Sequence, residues 1–177
     1  MKKIVSTTII LLFLISCHTV AQDAISPSDA ANVDGTFNEA EYSYTAEENG
    51  MMIGVSITRD NMVYAGIQAE TEGWVALGFD ATVMDGSRMM LASMSNGNVN
   101  FREDAGQGHG HSREADQITE TYAVSENNGI TVMELAVPIS DLDALEGSLD
   151  LIYAFGGSDS FSSYHRARGA TSLNISR

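Results

Sequence analysis

Cysteine and basic residues are both scarce in this sequence of 177 residues. Cys17 is the only cysteine, so the folded part of the chain has no disulfide and depends on its packed core for stability. The sequence has nine Lys and Arg residues and 24 Asp and Glu residues, which gives a formal net charge of −15. This charge argues against binding to nucleic acid or to anionic lipid headgroups, because both need clusters of Lys and Arg.

The apolar run at the N-terminus is too short to cross a bilayer. Residues 4–15 are apolar except for three hydroxyl residues, and Lys2 and Lys3 precede them. A membrane-spanning helix needs about 20 apolar residues, whereas a basic start followed by a shorter apolar run is typical of a secretory signal peptide. We therefore expect an exported protein that resides in the periplasm or on the outer membrane.

Two cleavage sites compete at the end of this segment. The residues 14–17 resemble a lipobox, which predicts a signal peptide over residues 1–17 and a lipid on Cys17. The lipid would then be the protein's only membrane attachment. The alternative is an ordinary small-residue site at residues 19–21, directly before Gln22.

The remainder predicts a short flexible tether, residues 18–32, and one β-rich domain, residues 33–177. Apolar residues alternate with small or polar ones through most of the domain, which is the period of a half-buried strand. Helix signals are weak, and only residues 140–145 could form one short turn. About nine to eleven short strands predict a β-sandwich, with a closed barrel as the alternative. The nine strands expected from the alternation are 52–58, 62–69, 74–79, 88–94, 99–102, 118–124, 131–137, 149–155 and 171–175.

Common catalytic signatures are missing from the domain. It has no cysteine nucleophile, no G-x-S-x-G elbow and no phosphate-binding glycine loop. Adjacent carboxylates such as Glu103 and Asp104 occur, but a chain with 24 acidic residues is expected to contain such pairs by chance. We predict a binding or electron-transfer module rather than an enzyme.

Three motifs stand out along the chain. Residues 73–79, Gly-Trp-Val-Ala-Leu-Gly-Phe, precede a Met-Asp-Gly-Ser segment at 84–87. A Gly/His loop at 106–111 precedes Asp116 and Gln117, and a Tyr-His-x-x-Arg-Gly pattern at 164–169 precedes the last predicted strand. In this order the motifs resemble the DOMON domain, over about residues 33–175. The resemblance implies an immunoglobulin-like antiparallel sandwich that binds haem or a sugar outside the cytoplasm.

The resemblance also implies a site. Cytochrome-type members of the family bind haem b between a methionine and a histidine, and the matching positions are Met84 and His165. Methionine and histidine ligation suits electron transfer to a redox partner protein. Nearby apolar side chains would wall the pocket, and arginines would pair with the haem propionates. The wall candidates are Trp74, Met89, Phe161 and Tyr164, and the arginines are Arg88, Arg166 and Arg168.

Each of these assignments has a structural alternative. Met84 is one of nine methionines, and methionine is a common core filler. His165 and its arginines fit a structural role equally, because the same pattern occurs in family members attached to copper monooxygenases. Trp74 fits either the core or a sugar-stacking platform.

His109 and His111 form an H-x-H pair for which we weigh a metal site as the weaker alternative. Zinc or copper would need a third ligand, and the acidic neighbours near enough to offer one are Glu103, Asp104, Glu114 and Asp116. The interleaved glycines instead predict a solvated loop at the ligand mouth. For the whole protein, the alternatives to haem binding are a sugar-binding module without a redox cofactor and a structural surface lipoprotein.

Overall fold

The computed structural model describes residues 24–143 and 147–176. The predicted signal peptide at 1–17, Cys17 and the first tether residues lie outside the described residues. Twelve strands form within them. They are β1 (Ala24–Ile25), β2 (Tyr44–Glu48), β3 (Met51–Ile57), β4 (Met62–Ala69), β5 (Val75–Phe79), β6 (Arg88–Ser95), β7 (Asn98–Gln107), β8 (Gly110–Arg113), β9 (Thr121–Asn127), β10 (Ile130–Pro138), β11 (Ser148–Gly156) and β12 (His165–Ile175).

These strands form two sheets, which confirms the predicted β-sandwich. The seven-stranded sheet has the order β1-β12-β11-β5-β6-β7-β8, and the five-stranded sheet has the order β2-β3-β4-β10-β9. Neighbouring strands are antiparallel except for β1 and β12, which are parallel. The count is above the predicted range because β1, β2 and β8 are too short or too polar to show clear alternation.

The core lies between the sheets, on the faces that alternation predicts. Val75, Leu77 and Phe79 of β5 point inward and are fully buried. They meet inward residues of the other sheet, such as Val55 and Leu135, in one continuous cluster. Full burial of each large aliphatic side chain contributes about 1.5–3 kcal/mol. With no disulfide available, this cluster supplies the main stabilising free energy of the fold.

The chain packs from an earlier residue than the predicted domain start at Val33. Ile25 is fully buried in the core, and β1 pairs with β12 through Asn174 and Ile175. Ser28 forms a further parallel bridge with Thr58. From Ala24 onward, the segment predicted as a flexible tether is therefore part of the packed domain.

Asparagine–glycine turns connect two of the hairpins. Asn96 and Gly97 have φ angles of 51° and 76° between β6 and β7, and Asn128 and Gly129 have 54° and 78° between β9 and β10. Positive φ at both central residues is what a two-residue hairpin needs. None of the helical turns in the described residues has the length or apolar character of a membrane span.

Candidate functional site

The seven-stranded sheet has a second apolar cluster on its outer face, away from the core. Because residues alternate along a strand, Ala76 of β5 and Met89 and Leu91 of β6 point outward. An antiparallel sheet usually exposes polar residues on the face that does not meet the core. This cluster, hereafter the outer cluster, has five buried members with three half-buried residues packed on it. The buried ones are Trp74, Ala76, Met89, Leu91 and Phe161, and the others are Met84, Ile152 and Ala154.

A loop from one end of the sheet covers part of the outer cluster. Residues 157–164 follow β11 and place Phe161 on the cluster. Trp74 donates from Nε1 to Ser163 Oγ over 2.9 Å, and its backbone N–H donates to the Ser158 carbonyl over 3.0 Å. Trp74 is consequently only 6% exposed. It packs against this loop and leaves no open ring face for sugar stacking in this conformation.

The Met84 loop, residues 80–87, covers the cluster from the other end. Met84 is half-buried, and its carbonyl oxygen accepts from the Ser87 hydroxyl over 2.7 Å. Gly106 lies directly under that carbonyl, where an added Cβ would overlap it. The Gly108 N–H donates to Asp85 over 2.7 Å, and Gly86 donates to the Gly106 carbonyl over 3.2 Å. These bonds fasten the Met84 loop to the β7–β8 hairpin.

A polar cluster of Arg102, Asp104 and His111 lies beside the outer cluster. Asp104 is opposite Met89, Arg102 is opposite Leu91 and His111 is opposite Gly106, so all three share the outer face. The fully buried Asp104 accepts from Arg102 over 2.6 Å and contacts Nδ1 of His111 through the same oxygen, Oδ2. Arg102 also lies 5.1 Å from the Phe161 ring centroid, in cation–π range. Among the described residues, Asp104 Oδ1 and Arg102 Nε are buried without a hydrogen-bond partner.

His165 lies elsewhere on the sheet. It begins β12 opposite Gly156, where the β11–β12 register shifts by a bulge, and its ring meets Tyr164 edge-on at 4.6 Å. Tyr164 is 86% exposed, and Arg166 and Arg168 are also exposed. The last strand thus begins within this motif, at His165 rather than at the predicted residue 171, because residues 165–170 continue the ladder with β11.

The Met84 loop and His165 start from opposite ends of the β5–β11 strand pair. Phe79 pairs with Leu151 and Val75 with Phe155, so the Met84 loop leaves one end and the loop before His165 leaves the other. The four residue-to-residue steps from Val75 to Phe79 separate these ends by about 13 Å. The described contacts bring Met84 to the outer cluster and Gly106, whereas His165 has Gly156 and Tyr164 as neighbours.

Arg88 points toward the inner face and is engaged there. It donates from Nε and a terminal nitrogen to Glu103 over 3.1 and 2.8 Å, and also to the Asp116 carbonyl. Glu103 and Asp104 are consecutive buried carboxylates on opposite faces of β7, and each has its own arginine. Glu103 also accepts from the Ile118 and Thr119 backbone N–H groups. The Arg88–Glu103 pair therefore orders the segment before β9.

We expect Glu103→Gln to lower stability at neutral pH but much less in acid. Burial raises the pKa of Glu103, but hydrogen bonds from Thr119, Arg88 and Ile118 outweigh burial and hold it below the ordinary 4.5. A lowered carboxyl pKa stabilises the fold above pH 4.5, and this stabilisation is lost as the pH falls through the folded-state value. Urea unfolding of both proteins between pH 7 and pH 3 measures the difference. A difference that does not shrink in acid would contradict the assignment.

Sequence reasoning selected Met84 but not Arg102, and it weighed Asp104 only as one possible third ligand for a metal at His109 and His111. The even spacing of Arg102 and Asp104 on β7 was a usable signal, because residues two apart on a strand share a face. His111 belongs to strand β8, and the exposed His109 lies in the turn before it. Within residues 24–143 and 147–176, no three His, Cys, Asp or Glu side chains assemble as a metal site.

Known structures share this architecture at low sequence identity. The cytochrome domain of Myriococcum thermophilum cellobiose dehydrogenase has a TM-score of 0.59 at 13% identity, over 82% of this chain and 89% of that one. The cytochrome b domain of Coprinopsis cinerea pyranose dehydrogenase has a TM-score of 0.55 at 9% identity, over 70% and 76%. A family 9 carbohydrate-binding module from Caldicellulosiruptor kristjanssonii, in complex with cellotriose, has a TM-score of 0.53 at 9% identity, over 88% and 93%.

The sequence comparison is more specific than these structural likenesses. No curated protein matches the sequence significantly. The model of the DOMON domain matches residues 47–156, which run from β2 to the end of β11 and include the Met84 loop and the polar cluster. The chain therefore belongs to the DOMON domain family.

Proposed function

We propose that this DOMON domain is a ligand-binding module that binds haem b on the outer cluster, with Met84 as one axial ligand and a histidine as the other. His165 is the histidine that the family resemblance suggests. The module acts outside the cytoplasm, attached by a lipid on Cys17, and exchanges electrons with a redox partner protein. It has no catalytic role of its own.

The observation that carries this proposal is the outer cluster itself. A porphyrin needs an apolar wall, and Met89, Leu91 and Phe161 would offer one next to the half-buried Met84 once the loops that bury them to 7% exposure or less move apart. The thioether and imidazole of the candidate residues suit haem iron, and methionine ligation raises its reduction potential. When bound, haem would supply one-electron chemistry, and this chain would hold the iron, exclude water and present Arg166 and Arg168 to the propionates. The cytochrome domains of similar fold add support.

Sugar binding is the second candidate. The carbohydrate-binding modules of similar fold favour it, as do two buried polar atoms without partners. A sugar hydroxyl donates to an acceptor such as Asp104 Oδ1 and accepts from a donor such as Arg102 Nε.

Hemin titration separates the two candidates. We expect the full chain to take up one hemin with a low-spin spectrum that sharpens on reduction, because methionine and histidine are strong-field ligands in combination. Met84→Ala is expected to lose the low-spin bands. Met94→Ala is the matched control, because Met94 is a half-buried methionine at the far end of β6.

Two outcomes would reject haem binding at the Met84 site. One is the absence of stable hemin uptake by a folded protein. The other is uptake whose spectrum is the same in Met84→Ala, Met94→Ala and the unmodified chain. Cello-oligosaccharide binding by the haem-free protein, weakened by Asp104→Asn, would favour the sugar candidate.

A further inference from the structure

We propose that His111, oriented by Asp104, is the imidazole that completes the Met84 site and is the second iron ligand. This inference rests on the proposed haem binding and names one of its ligands. The described residues contain three histidines, namely His109, His111 and His165. Three independent features of the structure favour His111 among them.

The first feature is position. The Met84 carbonyl lies against the α-carbon of Gly106, and Gly106 is the ladder partner of His111. Residues opposite each other in an antiparallel pair share a face and have Cβ positions about 4.5–5.5 Å apart. Met84 and His111 are therefore at the same end and on the same face of the sheet. His165 begins at the other end of the β5–β11 pair.

The second feature is the hydrogen bonding of the His111 ring. Asp104 Oδ2 accepts from Arg102 and also contacts His111 Nδ1, so the N–H of the second contact belongs to His111 Nδ1. Arg102 also lies 3.4 Å from Nδ1, but Nδ1 has no free lone pair there once it donates to Asp104. In the neutral ring, Nε2 then has a free lone pair. Histidines that bind metals commonly donate their other ring N–H to a carboxylate in this way, which fixes the tautomer and raises ligand basicity.

The third feature is the cost of the arrangement. Asp104 is fully buried, and removing a carboxylate from water costs several kcal/mol even when it is paired. Apolar residues at the same positions would often be as stable or more stable. The outer face already has an apolar cluster that would accommodate them. The fully buried Asp104, with Arg102 and His111 half-buried around it, is therefore better explained by the histidine ring that it orients than by a gain in stability.

The test compares hemin-loaded His111→Ala, His165→Ala and His109→Ala in the full chain. We expect only His111→Ala to lose the low-spin spectrum, and exogenous imidazole to restore it, because the small ligand refills an empty axial position. His109→Ala is the matched control, since His109 is the exposed neighbour on the same hairpin. Asp104→Asn is expected to keep the low-spin spectrum but raise the midpoint potential, because a less basic imidazole stabilises ferric iron less.

Different failures have different meanings. If His165→Ala loses the low-spin spectrum and His111→Ala keeps it, the inference is wrong while haem binding stands. If the unmodified chain takes up no hemin, the proposed function fails and the inference fails with it. Nitrogen NMR of the haem-free chain tests the orientation separately, and protonation at Nε2 rather than Nδ1 of His111 would overturn the role of Asp104. His111→Gln and circular dichroism show whether a lost spectrum reflects a lost ligand or a lost fold.

Discussion

Glu134→Ala is expected to lower the free energy of unfolding by about 3–5 kcal/mol. The substitution removes three hydrogen bonds to a buried carboxylate, each worth about 1.5–3 kcal/mol, and rearrangement of the freed donors recovers part of that sum. Glu134 is fully buried on β10. It accepts from the Tyr42 hydroxyl over 2.7 Å and from the Gly35 and Asp34 backbone N–H groups over 2.9 and 3.2 Å. It thereby holds the segment before β2 on the outer face of the five-stranded sheet.

That segment fits the sheet closely. Tyr42 lies over Gly54 and Gly66, where any larger residue would overlap its ring, and it stacks with Phe37 at 5.2 Å. Burial and the Glu134 carboxylate raise the pKa of Tyr42 well above its ordinary value of 10.0, so the hydroxyl keeps its proton and continues to donate in mild base. Loss of Glu134 would free the segment and leave these donors without an acceptor.

Urea unfolding of Glu134→Ala, Glu134→Gln and Tyr42→Phe measures this effect. Glu134→Gln should lose less than Glu134→Ala, because its amide oxygen still accepts from one or two of the donors. Tyr42→Phe removes a single bond and should have the smallest effect. Equal stability of Glu134→Ala and the unmodified protein would show that the segment is held by packing alone.

Gly106→Ala is expected to displace the Met84 loop, with a loss of about 1–3 kcal/mol from overpacking and loss of hemin uptake. The added methyl group would overlap the Met84 carbonyl, which is backbone and has no rotamer by which to move away. Moving it would break the Gly86–Gly106 and Gly106–Ser87 backbone bonds, at 3.2 and 2.8 Å. The expected effect therefore combines lower stability with a lost ligand site.

Gly110→Ala is the matched control for this substitution. Gly110 lies on the same hairpin, has no positive φ, and an added Cβ there would meet only a carbonyl oxygen at 3.8 Å. Thermal unfolding and hemin titration should leave Gly110→Ala near the unmodified protein and separate it clearly from Gly106→Ala. If the two variants behave alike, the contact between Gly106 and the Met84 loop does not hold the site.

Alternation made most of the sandwich predictable. Val75, Leu77 and Phe79 of β5 point to the core as the period of two requires, and the Asn96–Gly97 turn has the positive φ angles expected of the dipeptide. The edge elements were harder. β1 has two residues, and β9 begins three residues later than predicted, at Thr121. Such segments are fixed by the strands they pair with rather than by their own pattern.

The site was predictable only in part. Met84 stood out because the family pattern has a methionine at its position, and it does lie on an apolar surface. Nothing local predicted that Asp104 would be buried beside the half-buried Arg102 on the outer face, since charged residues are usually exposed. Arg88, by contrast, was predicted to pair with a haem propionate, but its side chain is bonded to Glu103.

The sequence by itself determined the strand alternation, the hairpin turns, the acidic charge and the resemblance to the DOMON family, because each of these depends on residues close together in the chain. Only the tertiary structure decided which loops meet over the outer cluster, since that depends on strand order and register between distant segments. Ladder pairing joins Gly106 to His111 and loop packing joins Gly106 to Met84. No spacing in the sequence encodes that neighbourhood, because it arises where two hairpins fold against each other.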